Sequence, residues 1–402
     1  MKVTVFPGAL NGTPRLPASK SDGIRRLFAS ALAGEPSYLS CASPCEDLAA
    51  TAEVLSLLGC RISYDGSGYC VLPCEPSAIE TADCRGSATL LRFALPVFAA
   101  RGIRCTLDGD MSLRARPIAD EICLLSAHGA SFDADSLPLS VSGQLLPGDY
   151  LVDASLSSQT VSGLLFALPL LRGDSTIHLT GAPVSAPYIA LTLSVLHEYG
   201  IVIEENVLGN FYIPGGQTYR APEVSFGEAD WSSAAFWKCA AFLTGSRLTL
   251  KGLRENSLQA DAAVSRYIDG NSTHIDLRDT PDLFPLLAVT CGLRQPCTIL
   301  TGINRLRYKE SDRPAAVEKL LLRLGCRIKT IPDGWQIFGT SGSANPIFVD
   351  GHGDHRIVMA AALAGIAGKA PVTISDGEAV AKSYPGFWEE LAACGAKLKF
   401  DE

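Results

Sequence analysis

The chain has 402 residues, of which 47% are hydrophobic and 19% are charged, and its formal net charge is −8. A chain of this length can form two or more domains, each with a large core. The acidic balance argues against nucleic acid or a membrane surface as a general partner, so an anionic ligand has to be bound by local clusters of basic side chains.

The start of the chain and its apolar stretches predict a cytoplasmic protein. The first residues, MKVTVFPGALNG, contain no long apolar region of the kind found in signal peptides. The apolar stretches do not reach the roughly 18 uninterrupted residues that a membrane-spanning helix needs. The 13 cysteines lack the paired spacing of zinc sites. We therefore expect reduced thiols that are buried or half-buried.

Two short patterns alternate along the chain and predict a repeated architecture. In the first, a helix is followed by a glycine turn and a short strand; in the second, an amphipathic helix ends at a glycine before an alternating strand. The first pattern occurs near Gly34, Gly102, Gly173, Gly245, Gly292 and Gly368. The second occurs in VLSLLGCRISYD, LLSAHGASFDAD, SVLHEYGIVIEE, LLRLGCRIKTIP and LAACGAKLKF. Together they predict six β-α-β-α-β-β units, arranged as two α/β domains of three units each.

The first candidate anion site lies in the segment LPASKSDGIRRLF. Ser19, Lys20 and Ser21 fall at a predicted strand-to-helix turn, and Arg25 follows one turn later. Hydroxyl groups, a lysine and a helix start suit a phosphate, although the segment lacks the spacing of a Walker A loop. A capped surface helix is the alternative interpretation.

Three further helices are predicted to begin beside basic residues. The starts are Arg116-Pro117, Arg313-Pro314 and Asp354-His355-Arg356. Proline is favoured at the first helical position and aspartate at the cap. A cation at a helix start costs roughly 0.3–1 kcal/mol. Because the chain repeats this cost three times, we predict a pocket for phosphates and carboxylates over scattered surface arginines.

Two polar segments precede apolar helices. Ser157, Ser158 and Gln159 precede one helix, and Ser185 and Tyr188 have a similar position before another. Such side chains can bind hydroxyls or phosphate oxygens. An ordinary N-cap run is the alternative.

Carboxylates and lysines mark the later part of the chain. Asp282 adjoins an apolar run and is a candidate base, whereas Asp279 is expected to cap that helix. Lys309 and Glu310 are poor caps for the helix that follows them, which favours a site role over a solvated face. Lys382 comes just before one more helix start.

Eight segments, taken in order, resemble one enzyme family. They are LPASKS, SATLLR, LRARPI, SSQ, PDLFPLLA, YKESDR, GDHRIVMA and AVAKSYPGF. Their order is similar to that in 3-phosphoshikimate 1-carboxyvinyltransferases, also called 5-enolpyruvylshikimate-3-phosphate synthases. The resemblance covers nearly the whole chain.

The resemblance implies a two-domain, inside-out α/β barrel built from six βαβαββ repeats, the enolpyruvyl transferase fold. The chain would cross between the domains near Ser19 and near Asp230. The first domain would comprise residues 1–18 plus 230–402 and the second residues 19–229, with the active site in the cleft between them.

The resemblance also implies the reaction. The family transfers the enolpyruvyl group of phosphoenolpyruvate to the 5-hydroxyl of shikimate 3-phosphate and releases phosphate, through a tetrahedral intermediate, on the shikimate pathway to chorismate and the aromatic amino acids. It implies no metal or organic cofactor and no nucleic-acid or membrane partner, and we expect a monomer.

Site residues carry over from the resemblance position by position. Shikimate 3-phosphate would be bound by Lys20, Ser21, Arg25, Ser157, Ser158, Gln159, Ser185, Tyr188, Asp282, Arg305 and Lys309. Phosphoenolpyruvate would be bound by Lys20, Ala88, Arg116, Gln159, Arg313, His355, Arg356 and Lys382. Asp282 and Glu310 would transfer protons, with Lys20 assisting.

The chain departs from the family pattern at three places. Asp22-Gly23-Ile24 stands where small polar residues and asparagine are frequent, Arg305 where many members have asparagine, and Ala88 where many have glycine. The last two departures concern substrate affinity more than reaction type. With alanine at position 88, the chain also resembles the glyphosate-tolerant members of the family.

Two alternatives remain at this point. UDP-N-acetylglucosamine 1-carboxyvinyltransferase shares the fold and the donor, but it typically has a reactive cysteine five residues before the arginine of its RP motif, where this chain has Met111. The other alternative is a catalytically inactive anion-binding relative.

Overall fold

Helices and short strands alternate along the chain in the computed structural model, which describes residues 1–41, 43–76, 80–155, 158–181, 184–206, 209–269, 272–294 and 297–401. The helices are α1 (Lys20–Ala33), α2 (Glu46–Val54), α3 (Ala88–Arg101), α4 (Met111–Arg114), α5 (Ala119–Ala127), α6 (Ser158–Ala167), α7 (Ala186–Glu198), α8 (Trp231–Thr244), α9 (Val264–Asp269), α10 (Phe284–Leu293), α11 (Arg313–Arg323), α12 (His355–Ala367) and α13 (Phe387–Ala393).

The strands are β1 (Lys2–Val5), β2 (Asn11–Gly12), β3 (Ser37–Ser40), β4 (Cys60–Tyr64), β5 (Gly68–Pro73), β6 (Thr81–Asp83), β7 (Cys105–Asp108), β8 (Ala130–Phe132), β9 (Leu139–Gly143), β10 (Asp149–Asp153), β11 (Ser175–Thr180), β12 (Glu204–Glu205), β13 (Phe211–Ile213), β14 (Val224–Phe226), β15 (Arg247–Leu248), β16 (His274–Asp276), β17 (Thr298–Thr301), β18 (Arg327–Ile331), β19 (Gly334–Phe338), β20 (Ile347–Val349), β21 (Val372–Ile374) and β22 (Leu398–Asp401).

These elements form two compact units. The first unit comprises Met1–Pro17 and Ala229–Glu402, and the second comprises Ala18–Glu228. Each unit has its own buried hydrophobic core. Across the described ranges, no helix has both the length and the apolar character needed to span a bilayer.

Five four-stranded sheets share one topology. Counting the strands of a repeat from 1 to 4, their order across the sheet is 1-2-4-3, with strands 1 and 2 parallel and strand 4 antiparallel to both of its neighbours. In the second unit the orders are β6-β7-β9-β8, β10-β11-β13-β12 and β14-β3-β5-β4. In the first unit they are β16-β17-β19-β18 and β20-β21-β1-β22. The repeated βαβαββ architecture predicted from the sequence is confirmed.

The ends of each unit's chain complete one sheet. Strand β1 pairs antiparallel with β21, and Val3 faces Ile374. In the second unit, β14 pairs parallel with β3, and Ser225 faces Leu39. A repeat is therefore closed by segments that are far apart in sequence, a feature that local patterns do not reveal.

The sixth repeat is shorter than the other five. Its sheet consists of β2 and β15, which pair in parallel through two residues each. After β15 the chain forms a 3₁₀ turn at Ala260–Ala263 and then α9. Within the described part of this repeat there is no β-hairpin corresponding to strands 3 and 4.

Buried helices pack together inside each unit. In the second unit, α1, α3 and α6 meet through Phe28, Phe93 and Phe166, whose ring centroids lie 5.4 to 5.9 Å apart. In the first unit, α12 is buried from His355 to Ile366. A helix that is apolar on all sides belongs in an interior. The strands instead alternate, as in β10, where exposed and buried residues succeed each other.

The second glycine pattern was interpreted correctly. Its glycines all have positive φ after a helical turn: Gly59, Gly129, Gly200, Gly325 and Gly395 have φ of 80°, 93°, 79°, 88° and 97°. Gly292, assigned to the first pattern, lies inside α10 instead of in a turn. A Cβ there would lie 2.8 Å from Leu321 Cδ2, so close helix packing is the reason for this glycine.

The thiol prediction holds for most cysteines. All 13 are free, and nine are buried. It is wrong for Cys74 and Cys123, which are exposed. Cys123 lies on α5, whose buried side is formed by other residues, such as Ile122 and Leu125.

Helices α3 and α6 approach each other where a proline meets a glycine. Pro96 lies inside α3 and has no N–H to donate to the carbonyl of Arg92. Gly163 of α6 packs against that carbonyl, and a Cβ at Gly163 would lie 2.3 Å from Arg92 O. The contact therefore requires glycine.

We predict that Gly163→Ala destabilises the protein by about 1–3 kcal/mol more than Gly23→Ala, because backbone atoms have to separate. Both substitutions gain the same helix propensity, roughly 1 kcal/mol. A Cβ at Gly23 would instead lie 2.8 Å from Leu48 Cδ2, the end of a side chain that can rotate. Urea denaturation of the two variants measures the difference, and equal losses of stability would contradict the explanation.

Candidate functional site

Arg313 is the centre of a buried ion cluster in the first unit. Its side chain is 1% exposed, and its Nε donates to Asp354 Oδ2 at 2.9 Å. Nη1 donates to Asp282 Oδ1 and Nη2 to Glu310 Oε2, both at 2.8 Å. We call Asp282, Glu310, Arg313, Asp354 and Arg356 the arginine cluster.

Helix capping places two members of this cluster. Helix α11 begins at Arg313 because the Asp312 side chain accepts from Ala315 N at 3.1 Å. Helix α12 begins at His355 because Asp354 accepts from Arg356 N at 2.9 Å. Both helix starts were predicted correctly. Asp354 also pairs with Arg313, so one carboxylate serves as cap and counter-ion.

Besides Arg313, three cationic side chains lie near Asp282 and Glu310. Arg356 Nη2 lies 3.3 Å from Asp282 Oδ2, and Lys309 Nζ lies 3.9 Å from Asp282 Oδ1. Lys382 Nζ lies 3.8 Å from Glu310 Oε1. The structure thus brings together these residues, which the sequence placed on separate segments.

The charges in the cluster set its protonation states. Burial favours the neutral form of Asp282, but Arg356, Lys309 and Arg313 outweigh this and hold the pKa of its carboxyl well below the usual range. Burial lowers the pKa of Lys309 to about 8. Asp282 is therefore an anion at neutral pH, and Lys309 titrates close to the physiological range.

A fourth carboxylate, Asp261, was missed by the sequence analysis. It is 1% exposed and accepts a hydrogen bond from Ser232 Oγ. Burial and the charge of Asp282 raise its pKa to about 7, against the opposing charge of Arg356. It follows the shortened strand pair of the sixth repeat, so no helix-start or motif signal identified it.

Three further residues of the first unit were named in the sequence analysis: His355, Arg305 and Asp279. His355 is 1% exposed, with Nδ1 3.8 Å from Asp354 Oδ1. Arg305 lies in a 3₁₀ turn and donates from Nη2 to the carbonyl of Arg278. The expectation that Asp279 caps the following helix is wrong, because the 3₁₀ turn at Pro281–Leu283 begins after Thr280.

In the second unit, Lys20 belongs to a buried network. It is the first residue of α1, and its Nζ lies 3.2 Å from Asp47 Oδ2. Ser87 Oγ donates to the same oxygen at 3.0 Å. Ala88, the next residue, begins α3 and is 8% exposed. Asp47 was not identified from the sequence, because it resembles an ordinary acidic residue in a first helical turn.

Arg25 is buried one turn into α1 and holds parts of two helices. Its Nε donates to Thr192 Oγ1 at 2.8 Å, and its Nη2 donates to the carbonyl of Tyr188 at 3.1 Å. Its Nη1 donates to the carbonyl of Ser21 at 2.7 Å. Burial lowers the pKa of Arg25 to about 10, so it stays a cation at neutral pH. Ser185, at the start of α7, has a φ of 57°.

The third polar helix start carries Ser158 and Gln159. Ser158 is buried and begins α6, and Gln159 Nε2 donates to Thr89 Oγ1 at 2.8 Å. Ser157 lies outside the described residues. Arg116 lies three residues before α5, which begins at Ala119. The prediction that this helix begins at Pro117 is therefore wrong.

Asp22, one of the three departures, has a structural role. Both of its carboxylate oxygens lie 3.0 Å from Arg26 Nε, and Oδ2 also accepts from Glu228 N at 3.1 Å. Asp22 and Arg26 are both buried. This departure thus ties α1 to the end of the second unit.

The two units define a class of protein. Each presents cationic side chains, backbone N–H groups and hydroxyls at the starts of buried helices, an arrangement that binds small, multiply charged anions. The repeats and these helix starts together are features of an enzyme for small anionic substrates.

Comparison with known proteins gives the family. The family model of EPSP synthase (3-phosphoshikimate 1-carboxyvinyltransferase) matches residues 6–391. A 3-phosphoshikimate 1-carboxyvinyltransferase of Clostridium perfringens is 33% identical, with 99% of each chain covered. That of Clostridium acetobutylicum is 32% identical, with 98% of each covered. The chain belongs to the EPSP synthase family.

Solved structures show the same fold. An EPSP synthase from Acinetobacter baumannii superimposes with a TM-score of 0.82 at 23% identity, covering 99% of this chain and all of the other. The enolpyruvyl transferase NikO from Streptomyces tendae has a TM-score of 0.79 at 17% identity, with 99% and 98% covered. The enolpyruvyl transferase fold expected from the sequence is confirmed.

We predict that Lys309 makes stability rise with pH between about 8 and its usual value of 10.5. In that window the unfolded chain binds a proton at this residue that the folded protein has lost, so raising the pH favours folding. Lys309→Met removes the effect, and Lys319→Met, at an exposed position of α11, controls for loss of a lysine. Denaturation from pH 7 to 10.5 gives the slopes; equal slopes for wild type and Lys309→Met would contradict this pKa.

Proposed function

We propose that the protein transfers the enolpyruvyl group of phosphoenolpyruvate to the 5-hydroxyl of shikimate 3-phosphate and releases phosphate. The observation that carries the proposal is the arginine cluster in a member of the EPSP synthase family: Asp282 and Glu310 both lie 2.8 Å from Arg313. The cluster combines carboxylates for proton transfer with cations for anionic substrates.

Arginine and lysine side chains bind the donor in this proposal. Arg313 and Arg356 bind the carboxylate of phosphoenolpyruvate, since guanidinium groups match a planar carboxylate. Its phosphate is bound by Lys20, Arg116, Gln159 and Lys382, with Ala88 and His355 beside the donor.

The acceptor uses a second set. Its phosphate is bound by Ser21, Arg25, Ser157, Ser158, Gln159 and Ser185, with Tyr188 and Arg305 nearby. Asp282 and Lys309 bind the ring hydroxyls. The burial of Arg25 supports its role, because a rigidly held cation loses little freedom when a phosphate binds.

The ionised state of Asp282 supports its assignment as the base, and Glu310 is the remaining carboxylate that the family resemblance offers for proton transfer. Asp282 is held ionised, so we assign it as the base that accepts the proton of the 5-hydroxyl as the oxygen attacks C2. Glu310 then supplies the proton to the methylene carbon, with Lys20 assisting. The tetrahedral adduct then loses phosphate from C2 and a proton from its new methyl group, which restores the double bond. The carboxylate of Glu310 accepts that methyl proton, and the proton held by Asp282 goes to the departing phosphate.

We also propose that the protein is a monomer in the cytoplasm. The reducing conditions of the cytoplasm suit its 13 free thiols.

The test is phosphate release from phosphoenolpyruvate in the presence of shikimate 3-phosphate, with the acceptor omitted as a blank. UDP-N-acetylglucosamine is the control acceptor for the sister activity, which the family match disfavours. Phosphate release with shikimate 3-phosphate as acceptor, and none with UDP-N-acetylglucosamine, supports the proposal. Release only with the nucleotide sugar, or with neither acceptor, contradicts it.

We expect Asp282→Asn and Glu310→Gln each to lower kcat by about 10²–10⁴-fold, because each removes a proton-transfer group while preserving volume. Glu318→Gln, at an exposed position of α11, is the matched control and keeps wild-type turnover. Steady-state kinetics and circular dichroism are measured together. A variant that turns over within a few-fold of wild type shows that its residue is neither acid nor base.

We expect poor inhibition by glyphosate, and tighter inhibition after Ala88→Gly. The Ala88 methyl group is buried at the start of α3, where it would obstruct an inhibitor slightly longer than the substrate. One misplaced methyl group costs roughly 10- to 200-fold in affinity. Inhibition constants and the KM for phosphoenolpyruvate are compared in both proteins. Tight wild-type inhibition, or no gain with glycine, would refute the explanation.

A further inference from the structure

Glu121 is a buried carboxylate for which the proposed reaction has no use. It lies in the first turn of α5, and its side chain is 1% exposed. Its Oε2 accepts from Arg92 Nη1 at 2.6 Å and from Thr160 Oγ1 at 3.1 Å. Among the described residues, its Oε1 is buried and has no hydrogen-bond partner.

The two side chains that donate hydrogen bonds to Glu121 connect it to residues next to those proposed to bind phosphoenolpyruvate. Thr160 directly follows Gln159 in α6. Arg92 also donates from Nη2 to the carbonyl of Pro117 at 2.7 Å, and Pro117 directly follows Arg116. One carboxylate thereby fixes the segments that carry both ligands.

A third segment joins the same network. Gln159 Nε2 donates to Thr89 Oγ1, and Thr89 directly follows Ala88 in α3. Glu121 therefore lies where three segments meet: the start of α3, the start of α6 and the residues before α5. Each segment carries one residue proposed to contact phosphoenolpyruvate.

The charge of Glu121 is compensated within the same network. Burial raises the pKa of Glu121, although Arg92 and Thr160 oppose that shift. A buried carboxylate near a phosphate site would repel the phosphate unless a cation neutralised it. Arg92 is that cation, and the ion pair, which has no net charge, can thus hold its neighbouring segments in place without repelling a phosphate.

We propose that Glu121, acting through Arg92 and Thr160, is a positioning residue that aligns Arg116 and Gln159 with the phosphate of the enolpyruvyl donor. The inference rests on the proposed function, because it takes the phosphate-binding role of these two residues from it. Misplacing a binding group by about 1 Å costs on the order of 10²-fold. The acceptor site should share this loss only in part, because Arg116 is proposed to contact the donor alone, whereas Gln159 is one of several ligands proposed for the acceptor phosphate.

A role confined to stability is the competing explanation. An acidic residue in the first helical turn interacts favourably with the helix dipole wherever it occurs. Asp120 occupies the same turn of α5 and is exposed. Asp120→Asn is therefore a matched control for the loss of a helix-start charge.

The experiment compares wild type, Glu121→Gln, Thr160→Val and Asp120→Asn in the full-length protein. The KM for phosphoenolpyruvate and for shikimate 3-phosphate is measured with each substrate varied in turn, together with the melting temperature. We expect Glu121→Gln to raise the KM for phosphoenolpyruvate roughly 10- to 100-fold and to raise the KM for shikimate 3-phosphate by a clearly smaller factor, because Gln159 is only one of the proposed ligands of the acceptor. We expect Thr160→Val to raise the KM for phosphoenolpyruvate as well, but by a smaller factor. This variant still tests the proposal if Glu121→Gln does not fold.

The outcomes separate the two proposals. Equal changes in both KM values, or unchanged KM values with a lowered melting temperature, would overturn the positioning role. An effect of Asp120→Asn as large as that of Glu121→Gln would assign the result to the helix dipole. If wild type releases no phosphate with shikimate 3-phosphate, the proposed function itself fails, whereas active wild type with an unaffected Glu121→Gln refutes this inference alone.

Discussion

The burial of Arg313 among three carboxylates is the constraint on which the first unit depends. A guanidinium that is 1% exposed has lost nearly all of its hydration, and such a charge is tolerated only when paired and hydrogen-bonded. Asp282, Glu310 and Asp354 supply those bonds from three separate segments. Removing one partner from a buried pair typically costs about 3–5 kcal/mol. The same contacts that keep Arg313 buried thus fix the relative positions of the residues proposed for catalysis.

This pairing also explains the protonation states. The cations that compensate Asp282 hold it as an anion, while burial lowers the pKa of Lys309 to about 8. The carboxyl of Asp282 is therefore fixed in its ionised form, whereas the pKa of Lys309 is shifted towards neutral pH. The second unit uses the same principle with different residues, since Lys20 pairs with Asp47 and Arg92 with Glu121.

The repeated architecture explains why these groups lie at helix starts. Each repeat buries helices behind a sheet, and a buried helix start presents unpaired N–H groups that need a partner. Aspartate caps satisfy some of them, as Asp354 does for α12. The shortened sixth repeat keeps α8 and a two-residue strand pair, so the central helix is retained although most of its sheet is not.

The sequence by itself determined the βαβαββ repeats, the starts of α1, α11 and α12, and the family, because glycine turns, caps and motif order are local signals. It did not identify Asp47, Asp261 or Glu121, whose environments come from residues distant in the chain. It also misplaced the start of α5 and the cap near Asp279, where a proline or an aspartate suggested the wrong residue. Protonation followed the same division: which carboxylate is ionised depends on the charges and burial around it, and only the tertiary structure brings those together.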